Sequence, residues 1–264
     1  MAIKFCFPDI PLRAHTLTYD SGTDELENNS ILSLVTPPSR APIKFSQNTS
    51  PVDFEYDLQD DTHACDYVIF EDDIPEGFPT KTTIDVDHST NGTVWTEADS
   101  STHSSNLYGR SGNLYYKTFT EVSAKQYWRT EVTFSGSYVG ASDCAMMHKL
   151  FLGTEFSFTS PVNIISKTYG KRHINFKTSS GIEIVTADGY DSINLELQVI
   201  CSNTEKESFF NKLVYPESYY LFLVDTDDLI LDSHKIIYFR LNQAVTTHHK
   251  SGNVALNLSL EEVV

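Results

Sequence analysis

Val52-Asp53-Phe54-Glu55-Tyr56-Asp57-Leu58 alternates without a break. Phe54, Tyr56 and Leu58 fall on one side and Asp53, Glu55 and Asp57 on the other, the period-two pattern of a half-buried strand. The same period recurs outward from it. Ile84 and Val86 point inward from Thr82 to His88, and Trp128, Val132 and Phe134 share a face between Tyr127 and Phe134. Further along, Ile193, Leu195, Leu197 and Val199 repeat it, as do Val254, Leu256, Leu258 and Leu260. Tyr67-Val68-Ile69-Phe70 is instead a continuous apolar run, consistent with a central strand. The acidic stretch Glu71 to Gly77 reads as the turn after it, and Asn91-Gly92 as a hairpin-type turn.

One helix interrupts the strands, at about 204–214. Thr204 and Glu207 have capping-box spacing, Phe209, Phe210, Leu213 and Val214 supply an apolar stripe, and Pro216 stops it. The fold class is therefore all-β, in two units. Residues 1–50 read as an irregular entry segment, with the Pro37-Pro38 pair and a weak apolar patch at Ile31, Leu32, Leu34 and Val35. Residues 51–155 form the first β unit, and residues 156–264 a second β-sandwich or barrel carrying the helix.

Net charge is −17 across 264 residues, and an acidic surface repels phosphate backbones, which argues against general nucleic-acid binding. Cys6, Cys65, Cys144 and Cys201 lie far apart with no C-x-x-C pair, the pattern of free thiols in a reducing cytosol. Met1 to Pro8 is too short and broken for a signal peptide, and no run of about 18 apolar residues marks a membrane span.

Catalytic patterns are missing. There is no G-x-S-x-G, Walker loop, G-x-G-x-x-G or H-E-x-x-H, and His248 and His249 are adjacent, so a strand would point them to opposite faces. Ser100, Ser101, Ser104 and Ser105 read as a solvated loop, and Asp60-Asp61, Asp72-Asp73 and Asp227-Asp228 as charged turns. No catalytic, cofactor-binding or metal residue is assigned. Calcium alone stays open, for the loops around 57–61 and 71–73, whose carboxylates are hard oxygen donors.

Three segments carry a resemblance: Val86-Asp87-His88-Ser89-Thr90-Asn91-Gly92-Thr93-Val94-Trp95-Thr96, then Ala124-Lys125-Gln126-Tyr127-Trp128-Arg129-Thr130-Glu131-Val132, then Met146 to Gly153 with its Leu152-Gly153 ending. In order and spacing they resemble the galactose-binding-like jelly roll of the discoidin group. Trp95, Trp128 and Arg129 match its core motif positions and read as structural. That group's sugar-binding loops vary in sequence, so no contact residue is carried over, and the Tyr108–Asn113 region is the candidate glycan loop. The combination with Leu195–Val199, the helix from Glu205, Tyr215-Pro216 and Leu256 to Glu262 resembles tail-tip or distal-tail virion proteins of tailed bacteriophages. This implies a non-enzymatic structural component, assembled in the host cytoplasm as a homo-oligomeric ring with other tail proteins. The alternative is a carbohydrate-binding adhesin that recognises a host-surface glycan.

Overall fold

The computed structural model describes residues 3–14, 16–21, 43–46, 52–72, 83–102, 113–133, 144–177, 183–213, 219–225, 236–248 and 253–263. Outside them lie the apolar patch at 31–35, the Pro37-Pro38 pair, the acidic turn beyond Asp72, the loop from 103 to 112, Phe134, Asp227-Asp228 and Pro216. The elements are β1 (Lys4–Cys6), α1 (Asp9–Arg13), β2 (Thr16–Ser21), β3 (Ile43–Ser46), β4 (Val52–Asp57), β5 (His63–Asp72), β6 (Thr83–Ser89), β7 (Thr96–Thr102) and β8 (Asn113–Lys125). They continue with β9 (Tyr127–Thr133), β10 (Cys144–Gly153), β11 (Phe156–Ser157), β12 (Asn163–Lys177), β13 (Glu183–Cys201), α2 (Asn203–Asn211), β14 (Tyr220–Val224), β15 (Ile236–His248) and β16 (Val254–Glu262). Neither helix is long and apolar enough to cross a membrane.

The strands make three sheets, in the orders β2-β4-β9-β6-β7, β3-β10-β5-β8 and β11-β1-β14-β15-β16-β13-β12. The first two form an antiparallel jelly-roll sandwich. Its core takes the alternate residues the sequence marks: Phe54, Tyr56, Ile84, Val86, Trp128 and Val132 from the five-stranded sheet, facing Val68, Phe70, Leu150 and Leu152 from the four-stranded one.

The continuous run in β5 has a direct cause. Val68 and Phe70 enter the sandwich core, while Tyr67 and Ile69 point the other way. There, with Phe151, they meet Cys6, Phe222, Val224, Ile236 and Tyr238 of the seven-stranded sheet. The four-stranded sheet is thus the middle of three layers and is apolar on both faces. The far face of the seven-stranded sheet carries the third cluster, in which Leu195, Leu197, Leu256, Leu258, Leu221 and Phe239 pack with Phe158 and with Phe209 of α2. The second unit is therefore one sheet with a helix on one side and the sandwich on the other.

Three details differ from the sequence reading. First, residues 1–50 are not merely an irregular lead into the sandwich, since they supply β1, α1, β2 and β3. β1 lies between β11 and β14, so this first strand belongs to the second unit. Its Lys4-Phe5-Cys6 stretch is too short to show a period, and its partners are more than 150 residues away. The sandwich is consequently an insertion between two neighbouring strands, with Lys4 opposite Ser157 and Phe5 opposite Phe156. Second, α2 starts earlier than expected. Ser202, not Thr204, is the N-cap: its Oγ accepts from the Glu205 N–H at 3.1 Å, and Glu205 Oε2 accepts from the Ser202 N–H at 2.9 Å. Both spacings match the box, but Ser202 directly follows β13 and so fixes where helical geometry begins. Third, the alternating run from Ile193 to Val199 is only the later part of a 19-residue strand, β13, which pairs with the 15-residue β12.

Polar contacts close the junction between the units. Lys212, at the C-cap of α2, pairs with buried Asp9 of α1 and donates to Thr154 Oγ1 at 2.9 Å. Gly153 permits this approach, because a Cβ there would lie 3.0 Å from the Asp9 Cβ. Nearby, Lys4 pairs with Glu155 at 2.5 Å, Tyr116 donates to Glu155, and the Glu155 N–H donates to Asp66 at 2.9 Å. Burial pushes the Asp66 carboxyl up to about 6, against the opposing hydrogen bond from Glu155.

Two measurements check these contacts. Ser202→Ala should lower stability in urea by about 1 kcal/mol, with Thr204→Ala within about 0.5 kcal/mol of the parent. The Asp66 pKa is higher folded than unfolded, so folding takes up a proton there. Its contribution to stability grows as pH falls through about 6 and reaches its full value below the unfolded pKa. The urea midpoint should therefore gain from this group between pH 7 and pH 5, and Asp66→Asn should flatten that part of the profile.

Candidate functional site

The polar positions of β4, β9, β6 and β7 build the outer face of the five-stranded sheet. Glu55, Arg129, Asp87 and Glu97 lie opposite one another in one row, and Asp53, Glu131 and Asp85 in the next. Six carboxylates and a single cation share these two rows, an arrangement in which like charges oppose folding unless something offsets them.

Arg129 is that offset. Its Nε and Nη2 both donate to Asp87 Oδ2, at 2.9 and 2.6 Å. Its Nη1 lies 3.6 Å from Asp53 Oδ2, and Nη2 3.6 Å from Glu131 Oε2. One guanidinium therefore ties three strands together. Burial acts to lower its pKa, but the hydrogen bond and charge of Asp87, with Asp53 and Glu131 behind it, outweigh that and raise it. Glu131 moves up from the usual carboxylate range, first through burial and then through the neighbouring charge of Asp53.

A fixed loop brings an aromatic ring onto this cluster. Ser89 Oγ accepts from the N–H groups of Asn91 and Gly92 at 3.2 and 3.1 Å, and Asn91 Oδ1 accepts from those of Thr93 and Val94 at 3.0 Å each. Gly92 adopts φ +69°, and a Cβ there would press on the Tyr127 ring at 3.1 Å. The hairpin is wider than an Asn-Gly pair alone makes: pairing stops at His88 and Thr96, and of the two residues only Gly92 has positive φ. The loop ends on partly buried Trp95, whose ring centre lies 4.8 Å from Arg129 Cζ, a cation–π contact.

The three residues of the sequence motif thus separate. Trp128 is fully buried and donates its indole N–H to the His63 carbonyl at 3.1 Å. Trp95 and Arg129 stand on the outside, with part of each in solvent. The sequence shows the alternating acids of β4 but gives no sign that Asp53, Asp87 and Glu131 converge on Arg129, because the three strands meet only in the folded sheet.

The other candidates sit apart. Asp57 Oδ1 accepts from the Gln59 N–H at 2.7 Å, while Asp61 accepts from the Thr62 N–H and pairs with His63, each at 2.9 Å. The calcium expectation at 57–61 thus meets carboxylates turned onto their own loop, and of the stretch 71–73, Glu71 and Asp72 end β5 while Asp73 lies outside the described residues. Among the described residues, no group of three His, Cys, Asp or Glu is arranged to hold a metal. Cys6, Cys65 and Cys201 are buried free thiols, each shifted up by burial. The Tyr108–Asn113 region and Ser104-Ser105 lie outside the described residues, Asn113 excepted, and the side chain of His248 is likewise not described.

No protein-family model matches the chain, and no curated protein matches it in sequence. Solved structures similar to it include a CBM32 module of Clostridium perfringens in complex with GalNAc-β-1,3-galactose, at 12% identity over 56% of this chain and 99% of that one, TM-score 0.41. Another is chitosan-binding module 1 from a chitosanase/glucanase of Paenibacillus sp. IK-5, at 18% identity, 53% and 94% coverage, TM-score 0.38. A third is a CBM32 module from a family 31 glycoside hydrolase of Clostridium perfringens, at 10% identity, 53% and 96% coverage, TM-score 0.37. The class of the protein follows from its own sheets: it is all-β, a jelly-roll sandwich set into a larger antiparallel sheet.

Arg129→Ala should cost on the order of 2 kcal/mol, because Asp87 is then left buried without its counter-charge. Arg129→Lys should recover only part, since an ammonium cannot span the three carboxylates. Chemical denaturation of both variants at pH 7 measures this.

Proposed function

We propose that this chain is a non-catalytic glycan-binding protein whose sandwich recognises carbohydrate on the outer face of the five-stranded sheet. The observation that carries the reading is Trp95, held by an ordered loop over Arg129 and beside carboxylates, with part of its ring in solvent. Sugars present C–H faces that pack on an indole and hydroxyls that donate to carboxylates, and this face offers both. The ionisable groups here are engaged with one another, which suits a surface that binds and does not transform. The discoidin-like motifs, which meet in this sheet at Asp87, Trp95 and Arg129, support the same reading.

A second reading concerns the seven-stranded sheet. Its long terminal hairpin, β12 and β13, favours a structural role in an assembly, as in a homo-oligomeric ring of a bacteriophage tail tip or baseplate within the virion. The two readings combine as a glycan-presenting structural component.

Glycan-array screening followed by titration calorimetry tests the main reading. The parent chain should bind at least one surface glycan, and Trp95→Ala should weaken that binding about tenfold, or ~1.4 kcal/mol, while keeping its far-UV spectrum. A parent chain that binds no glycan at millimolar sugar removes the reading.

A further inference from the structure

β12 is the last strand of the seven-stranded sheet, and no described strand pairs with its outer edge. It runs for 15 residues, Asn163 to Lys177. Ile164, Ile165 and Tyr169 on it are 41%, 57% and 54% exposed. Long edges with apolar side chains in solvent are places where another strand adds.

Charge narrows the choice of partner. β12 contains Lys167, Lys171, Arg172 and Lys177 and no acidic residue. The chain has 19 Lys and Arg against 36 Asp and Glu, so without this strand the balance is 15 − 36 = −21. Two copies of β12 laid side by side would bring together cations with no carboxylate between them, which opposes symmetric pairing. An acidic edge is the complement, and the chain has one. β2 is an end strand of the five-stranded sheet, and its neighbour β4 with the turn after it carries Asp53, Glu55, Asp57, Asp60 and Asp61 within nine residues.

The two edges do not meet within one molecule. The core between the seven-stranded sheet and the sandwich draws on β1, β14 and β15, and no described residue of β12 or β13 enters it. β12 therefore lies on the side of its sheet away from the sandwich.

We propose that β12 of one copy docks on the β2–β4 edge of a second copy, giving a head-to-tail contact. This rests on the assembly reading above and names its interface. Main-chain hydrogen bonds extend one sheet into the other, the net positive charge of β12 meets the acidic margin, and Ile164, Ile165 and Tyr169 lose solvent. Because the two surfaces differ and do not overlap, each copy uses both, and the contact propagates to a ring or a filament.

Sedimentation velocity of the full chain at about 100 μM, in about 50 mM and then 500 mM salt, reads the outcome. The parent should associate at low salt and dissociate at high salt. Lys167→Glu damages only the basic strand, and the double variant Glu55→Gln/Asp60→Asn only the acidic edge. Each alone should be monomeric, while an equimolar mixture, which restores one good contact, should form dimers and nothing larger. Far-UV spectra and melting curves confirm that both remain folded. If the parent associates but the acidic-edge variant associates equally well, the proposed interface is wrong and the assembly reading stands. A parent that stays monomeric at low salt overturns both.

Discussion

Tyr67, Val68, Ile69 and Phe70 are consecutive residues of one strand, and all four are buried. Since neighbouring side chains in a strand point to opposite faces, this is possible only if β5 has a core on each side. Phe151, between Leu150 and Leu152 on the paired strand β10, repeats the condition. The rest of the architecture follows from this double burial. The five-stranded sheet can leave one whole face to polar side chains because its other face shares the sandwich core. The seven-stranded sheet can keep α2 on one side because the middle sheet covers part of the other.

The free outer face is where composition becomes chemistry. The chain carries 36 acidic residues, and β4, β6, β7 and β9 set six of them in two adjoining rows. Arg129 makes the arrangement tolerable by reaching Asp87, Asp53 and Glu131 together. In the proposed glycan-binding reading, the same contacts set what the surface would recognise. A guanidinium already satisfied by three carboxylates has little left for an incoming anion, whereas the carboxylates keep lone pairs for hydroxyl donors. Trp95 adds an apolar face to that set, and the Ser89–Asn91 hydrogen bonds limit how far it can move.

Much of the fold was legible in the sequence, because period-two patterning is local. Residues 52–58, 84–88 and 127–132 announce their inward faces, and Leu195–Val199 and Leu256–Leu260 announce the second sheet. Other features depend on distant partners. Three residues, Lys4 to Cys6, carry no readable period, and only pairing with β14 and β11 makes them a strand. Two overlapping capping boxes preceded the helix, and the junction with β13 chose Ser202. The candidate site was least legible: Trp95 and Arg129 stood out through their motif, but the carboxylates around them come from three strands spread across some 80 residues.

The path of the chain through β1 and β11 makes the sandwich a separable insert. Those two strands are hydrogen-bonded neighbours, so the whole sandwich leaves and re-enters the larger sheet through a doorway one strand spacing wide, about 4.8 Å. A gene segment with that geometry can be lost, replaced or exchanged as a cassette, since a few residues would reconnect the host sheet. The replacement must satisfy one demand. Phe222, Ile236 and Tyr238 form an apolar landing pad beneath the present sandwich, and any newcomer must bring an underside to match it.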